Sequence, residues 1–136
     1  MLLLRPSRVI RSGGVAAANT ILLIEDDDGI RETMAALLED EGFAVVQAAN
    51  GADGLAKLRQ VDGVCLVLLD LWMPIMNGWQ LLAELRADDR LAQLPVVVIS
   101  AAGEQPPPPG AAAFLRKPIR LDVLLTAVET HRVRAA

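Results

Sequence analysis

Ile21-Leu22-Leu23-Ile24-Glu25-Asp26-Asp27-Asp28 decides how this chain folds, because four apolar residues run directly into four acidic ones. A short, unbroken apolar run with polar ends suits a strand buried on both faces. The carboxylates then crowd at its carboxyl edge and repel one another, and a divalent cation is the simplest offset. Cys65-Leu66-Val67-Leu68-Leu69 ends in the same way, in Asp70. Pro95-Val96-Val97-Val98-Ile99 ends in Ser100, and the shorter Ala113-Phe114-Leu115 leads to Lys117-Pro118. Carboxylates, a hydroxyl and an ammonium therefore stand at successive strand ends. In an open parallel sheet those ends converge on one ligand crevice.

Between the apolar runs the period changes. Gly29–Glu41 carries Ile30, Met34, Leu37 and Leu38 at helical spacing, with Asp27 or Asp28 as the cap and Gly42 to close the end. Phe43–Ala48 reads as a second strand, and Asn50 caps a helix through Leu55 and Leu58. Pro74, Asn77 and Gly78 make a loop before a helix over Trp79–Ala87. A last helix runs from about Leu121 to His131, with Leu121, Leu124, Leu125 and Val128 on one face. Alternating βα units of this size imply an α/β fold, a doubly wound five-stranded parallel sheet with right-handed crossovers.

The 136 residues suffice for one domain with a real core, and 53% hydrophobic content favours a folded chain. The net charge of −4 argues against general nucleic-acid binding. That charge is uneven: Arg5, Arg8 and Arg11 give the first nineteen residues +3, so the net −4 leaves −7 on the remainder. Cys65 is the only cysteine, which excludes an intrachain disulfide or a cysteine-based zinc site, and its apolar surroundings suit a small buried hydrophobe. His131, also alone, reads as a surface residue near a helix carboxyl end. No apolar run approaches the roughly 18 residues of a membrane span. At the amino terminus the charges follow the apolar Leu2-Leu3-Leu4 patch instead of preceding it, which speaks against a signal peptide. The expected organisation is a flexible basic tail over 1–19, a domain over 20–132 and a short tail over 133–136, in a cytoplasmic protein without membrane association.

Taken together, Ile-Leu-Leu-Ile-Glu25-Asp26-Asp, Leu-Leu-Asp70-Leu-Trp-Met-Pro74-x-x-x-Gly78, Val-Ile-Ser100-Ala and Phe114-Leu-Arg-Lys117-Pro118 resemble the response-regulator receiver domain of two-component signalling. The resemblance spans Thr20 to about Arg132 and implies the flavodoxin-like form of the fold. It implies that Asp70 accepts a phosphoryl group from a histidine kinase or a histidine phosphotransfer protein. It also implies Mg2+ as cofactor, held by Asp26 directly, by Glu25 through water, by Asp70 and by the main-chain carbonyl of Trp72. Lys117 would pair with one phosphoryl oxygen, Ser100 would donate to another, and the Lys117–Pro118 bond would be cis. Phosphoryl transfer needs alignment and charge neutralisation more than covalent help, so this residue set suits the chemistry. Asp27 and Asp28 read as caps and solvent residues, not ligands. Singly, Glu25 and Asp26 read equally well as surface charge or metal site, Ser100 as a strand-end serine and Lys117 as a surface lysine. Phe114 divides evenly between a core phenylalanine and the aromatic that rotates inward after Ser100 moves.

One segment departs from the pattern. The spacing from Ser100 to Lys117 is shorter than the family's, and the deficit falls around Pro106-Pro107-Pro108-Pro109. Consecutive prolines cannot form a helix interior, so a Pro-rich loop is expected to truncate or replace the helix of the fourth crossover. Dimerisation through that face becomes doubtful, and a monomer or weak dimer is expected. The leading reading is a phosphoacceptor receiver that signals through contacts with an unknown downstream protein. It would not be an enzyme beyond its own phosphorylation from a donor and autodephosphorylation. A phosphate sink without output is the alternative. A Mg2+-dependent phosphohydrolase of the haloacid-dehalogenase type ranks last, because the general acid expected two residues after the nucleophile is replaced by Trp72.

Overall fold

The alternation of strands and helices is realised in a computed structural model that describes residues 19–73, 75–101 and 109–134. The order is β1 (Thr20–Ile24), α1 (Asp28–Asp40), β2 (Ala44–Ala48), α2 (Gly51–Leu58), β3 (Val64–Asp70), α3 (Gly78–Ala87), β4 (Val96–Ala101), β5 (Ala113–Lys117) and α4 (Leu121–His131). The five strands form one sheet in the order β2-β1-β3-β4-β5, with every neighbouring pair parallel. The chain steps outward from β1 to β2, then crosses back to β3. The carboxyl ends of β1 and β3 therefore flank the point where strand order reverses, the usual crevice of an open α/β sheet.

Successive side chains of a strand point to opposite faces, and the core divides accordingly. Leu22, Ile24, Val67, Leu69, Val96 and Val98 pack on one face with Leu55 and Leu58 of α2 and Leu81, Leu82 and Leu85 of α3. Ile21, Leu23, Leu66, Leu68, Val97 and Ile99 pack on the other with Met34, Ala35 and Leu38 of α1 and Leu124 and Val128 of α4. This two-sided burial is why the central strands read as continuous apolar runs. Cys65 is buried in the second cluster, and burial pushes its thiol pKa up.

Helix starts follow local chemistry. Asp27 caps α1 by accepting from the Ile30 N–H at 2.8 Å, and Asn50 caps α2 by accepting from the Asp53 N–H at 2.9 Å. Asn77 and Gln80 form a reciprocal capping box at α3. Gly42 closes α1 with φ 103°, a left-handed conformation that costs glycine nothing. Strand ends differ from the periodicity reading in a way that matters for the site. Asp70 and Ser100 lie inside β3 and β4 instead of beyond them, and β5 continues to Lys117. Ladder pairing of Asp70 with Ile99 and of Ala101 with Lys117 extends the strands past their apolar runs.

The Pro-rich crossover expected after β4 falls mostly on residues 102–108, outside the described residues. Where the chain is described again it turns at Gly110, with φ 93°, and the Arg86 guanidinium of α3 donates to the Gly110 carbonyl at 2.5 Å. The basic amino-terminal tail also lies outside the described residues. At the other end, the Val133 N–H donates to the Cys65 carbonyl at 2.9 Å and so ties the chain beyond α4 to the base of β3.

Candidate functional site

The site assembles at the carboxyl ends of β1, β3, β4 and β5. Glu25 and Asp26 leave β1, Asp70 ends β3, Ser100 lies near the end of β4 and Lys117 ends β5. Glu25, Asp26 and Asp70 each place a carboxylate oxygen within 4.8 Å of the others, with Glu25 and Asp70 buried and Asp26 exposed. Lys117 reaches over this group: its Nζ donates to Glu25 Oε1 at 3.3 Å and lies 3.6 Å from Asp70 Oδ1. The Lys117–Pro118 peptide is cis. Glu25 is only 3% exposed. Its other oxygen accepts from the Asp27 N–H at 3.1 Å.

Electrostatics follow from this crowding. Burial pushes the Asp70 carboxyl up to about 6, the Glu25 and Asp26 charges push the same way, and Lys117 and the Trp72 main-chain N–H oppose them. Burial draws the Lys117 ammonium down, but the Asp70 and Glu25 carboxylates outweigh it and hold its pKa above the usual lysine value. One ammonium thus faces three carboxylates, and the excess is negative. Three hard oxygen donors with no imidazole or thiolate among them suit a hard divalent cation that keeps part of its water shell. Mg2+ fits: Asp26, Glu25 and Asp70 would hold it, with the Trp72 carbonyl as the neutral oxygen that the sequence resemblance implies.

Ser100 bears on the same fit. Its residue is 0% exposed, and its Oγ has no hydrogen-bond partner among the described residues. A buried hydroxyl without a partner is costly, and such groups recur where a ligand completes the set. Phe114 pairs with Val98 in the ladder and packs, partly buried, against the core cluster of α2 and α3. Arg116 lies 6.0 Å from its ring centroid. Trp72 is 46% exposed and meets Trp79 edge-on, ring centroids 4.8 Å apart at 67°. Asp27 serves as a cap, and Asp28 pairs with Arg31 at 2.6 Å, so neither joins the carboxylate group. Arg31 did not stand out in the sequence; its only signal is the i, i+3 spacing from Asp28.

Residues 21–129 match the response regulator receiver domain family. The chain belongs to that family. Among curated receiver-containing proteins, Response regulator Rre1 of Synechocystis sp. is 40% identical over 121 residues, covering 85% of this chain and 52% of the relative. This chain thus spans about half the length of that protein. Among solved structures, a response regulator receiver protein from Pseudomonas putida superposes with TM-score 0.76 at 27% identity, covering 85% of this chain and 99% of that one. TrrA of Thermotoga maritima, solved in complex with Mg(2+)-BeF, gives TM-score 0.74 at 25% identity over 82% of this receiver and 97% of its own chain. The receiver's five-stranded parallel sheet and its α/β fold agree with the sequence reading. Among the described residues, no helix is long and apolar enough to cross a membrane.

Proposed function

We propose that this receiver takes a phosphoryl group onto Asp70 from a phosphohistidine on a kinase or phosphotransfer protein. The observation that carries the reading is Asp70 itself, a buried carboxylate between two others and one ammonium, 3.6 Å from Lys117 Nζ. An Asp70 oxygen attacks phosphorus, a P–O bond forms, the P–N bond to the donor imidazole breaks, and its electron pair stays on the imidazole nitrogen. A bound Mg2+ would neutralise charge on the phosphoryl oxygens and let Asp70 stay anionic among its neighbours. Lys117 exchanges its Glu25 contact for a phosphoryl oxygen as a compact point charge. Ser100 donates its unpartnered hydroxyl to another oxygen. The groove beside Lys117, lined by Ile30, Met34, Leu37 and Ile119, offers the donor protein an apolar surface next to the site.

Output runs through protein contacts that change when Ser100 moves toward the phosphoryl group, with Phe114 as the aromatic able to follow. A phosphohydrolase acting through a general acid two residues beyond Asp70 is disfavoured, since the indole N–H of Trp72 at that position is far too weakly acidic for the role. Beryllofluoride binding tests the reading. Beryllium fluoride added with Mg2+ should shift the fluorescence of Trp72, and omission of Mg2+ or Asp70→Asn should abolish the shift. Binding that persists in Asp70→Asn would refute the assignment.

A further inference from the structure

Arg31 touches none of the atoms assigned to phosphoryl transfer, yet its side chain is only 13% exposed. It spreads its guanidinium over three elements. Nη1 donates to the main-chain carbonyl of Glu25 at 2.8 Å, Nη2 to Asp28 Oδ1 at 2.6 Å in the first turn of α1, and Nε to Gln47 Oε1 at 3.2 Å on β2. The Glu25 N–H donates to the Ala48 carbonyl at 3.0 Å. Both main-chain polar groups of Glu25 are thus held, one by the sheet and one by Arg31. The Glu25 carbonyl belongs to the peptide that leads into Asp26, so its plane sets where the two carboxylates stand relative to each other.

We propose that Arg31 is a positioning residue for the divalent-cation site. It fixes the Glu25–Asp26 peptide so that the carboxylates of both residues are preorganised with Asp70. The proposal rests on the receiver reading of that site. Two simpler roles make different demands. A role through charge alone would be met by any cation, and removing the charge would strengthen binding of Mg2+ by Coulomb attraction to the acidic group. A role in folding alone would leave affinity untouched. Only the planar fork serves three acceptors in three directions, so lysine does not substitute for it in a positioning role.

The test is Mg2+ titration of the full chain by calorimetry, without phosphodonor, alongside thermal unfolding in EDTA. Arg31→Lys and Arg31→Gln should both weaken Mg2+ binding, by roughly tenfold as for other groups that orient metal ligands. Gln47→Met, which removes only the Nε acceptor, should fold as wild type and show a smaller loss in the same direction. Wild-type affinity in Arg31→Lys with tighter binding in Arg31→Gln would reduce Arg31 to a charge and overturn the proposal. A lower melting temperature with unchanged affinity in every variant would also overturn it. If Arg31 variants do not fold, unchanged affinity in Gln47→Met decides against it. Failure of wild type itself to bind Mg2+ would instead refute the receiver reading of the site.

Discussion

Lys117 Nζ donates to Glu25 Oε1 at 3.3 Å across 92 residues of sequence, a shorter contact than its 3.6 Å approach to Asp70. The ammonium thus serves both buried carboxylates at once, and both hold its pKa up. Lys117→Met keeps much of the aliphatic stem and leaves three carboxylates without their cation. The cation-free protein should lose about 1–3 kcal/mol of stability, measured by urea unfolding in EDTA. Excess Mg2+ should restore most of it, while phosphoryl uptake stays impaired. Equal stability of the two proteins in EDTA would contradict this role.

Asp70 sets a pH dependence whose sign follows from its raised pKa. The folded state holds the Asp70 proton up to about 6, whereas the unfolded chain releases it near the ordinary value of 3.8. Between those values the folded state binds more protons, so stability falls as pH rises. This destabilising share is complete above about 6 and absent below the unfolded value. In EDTA, Asp70→Asn should therefore be more stable than wild type at pH 7, by on the order of 2–3 kcal/mol. The gap should close toward pH 4, and Mg2+ should reduce it at pH 7. Parallel stability curves across this range would count against the shift.

Ser100→Ala separates resting stability from ligand binding. The Oγ is buried without a partner among the described residues, so deleting it removes a desolvated group and leaves little empty space. Resting stability should stay the same or rise by up to about 1 kcal/mol. Beryllofluoride affinity in Mg2+ should fall, because one donor to the phosphoryl mimic is gone. A destabilised Ser100→Ala with unchanged beryllofluoride affinity would reverse the assignment.

Gly54 explains how α2 approaches the sheet below the site. A Cβ at Gly54 would lie 2.4 Å from Ile24 Cδ1, and Ile24 is fully buried just before Glu25. Gly54→Ala should cost about 1–3 kcal/mol through overpacking. Ile24→Val removes the clashing methyl and should recover part of that loss in the double variant, as a double-mutant cycle by chemical denaturation would show. Strict additivity of the two single effects would place the strain elsewhere.

The fold was legible because each central strand is buried on both faces, so Ile21–Ile24, Cys65–Leu69 and Val96–Ile99 stand out as unbroken apolar runs. The site was legible because a parallel sheet gathers strand ends, and Glu25, Asp26, Asp70, Ser100 and Lys117 each follow or end such a run. What stayed hidden depends on contacts between distant segments. Linear spacing says nothing of Lys117 bridging Glu25 and Asp70, of Glu25 being more buried than Asp26 next to it, or of Gly54 facing Ile24. Arg31 carries no sequence signal of its role because its Glu25 and Gln47 acceptors come together only in the folded chain. Asp70 and Ser100 belong to β3 and β4 because ladder pairing continues past the point where the apolar pattern ends.

The most direct test of the central claim is intact mass after incubation with acetyl phosphate and Mg2+, followed by peptide mapping. A single Mg2+-dependent phosphoryl adduct on Asp70, absent from Asp70→Asn, is the expected result. A folded wild-type protein that binds Mg2+ but stays unmodified, or an adduct retained in Asp70→Asn, would contradict the account.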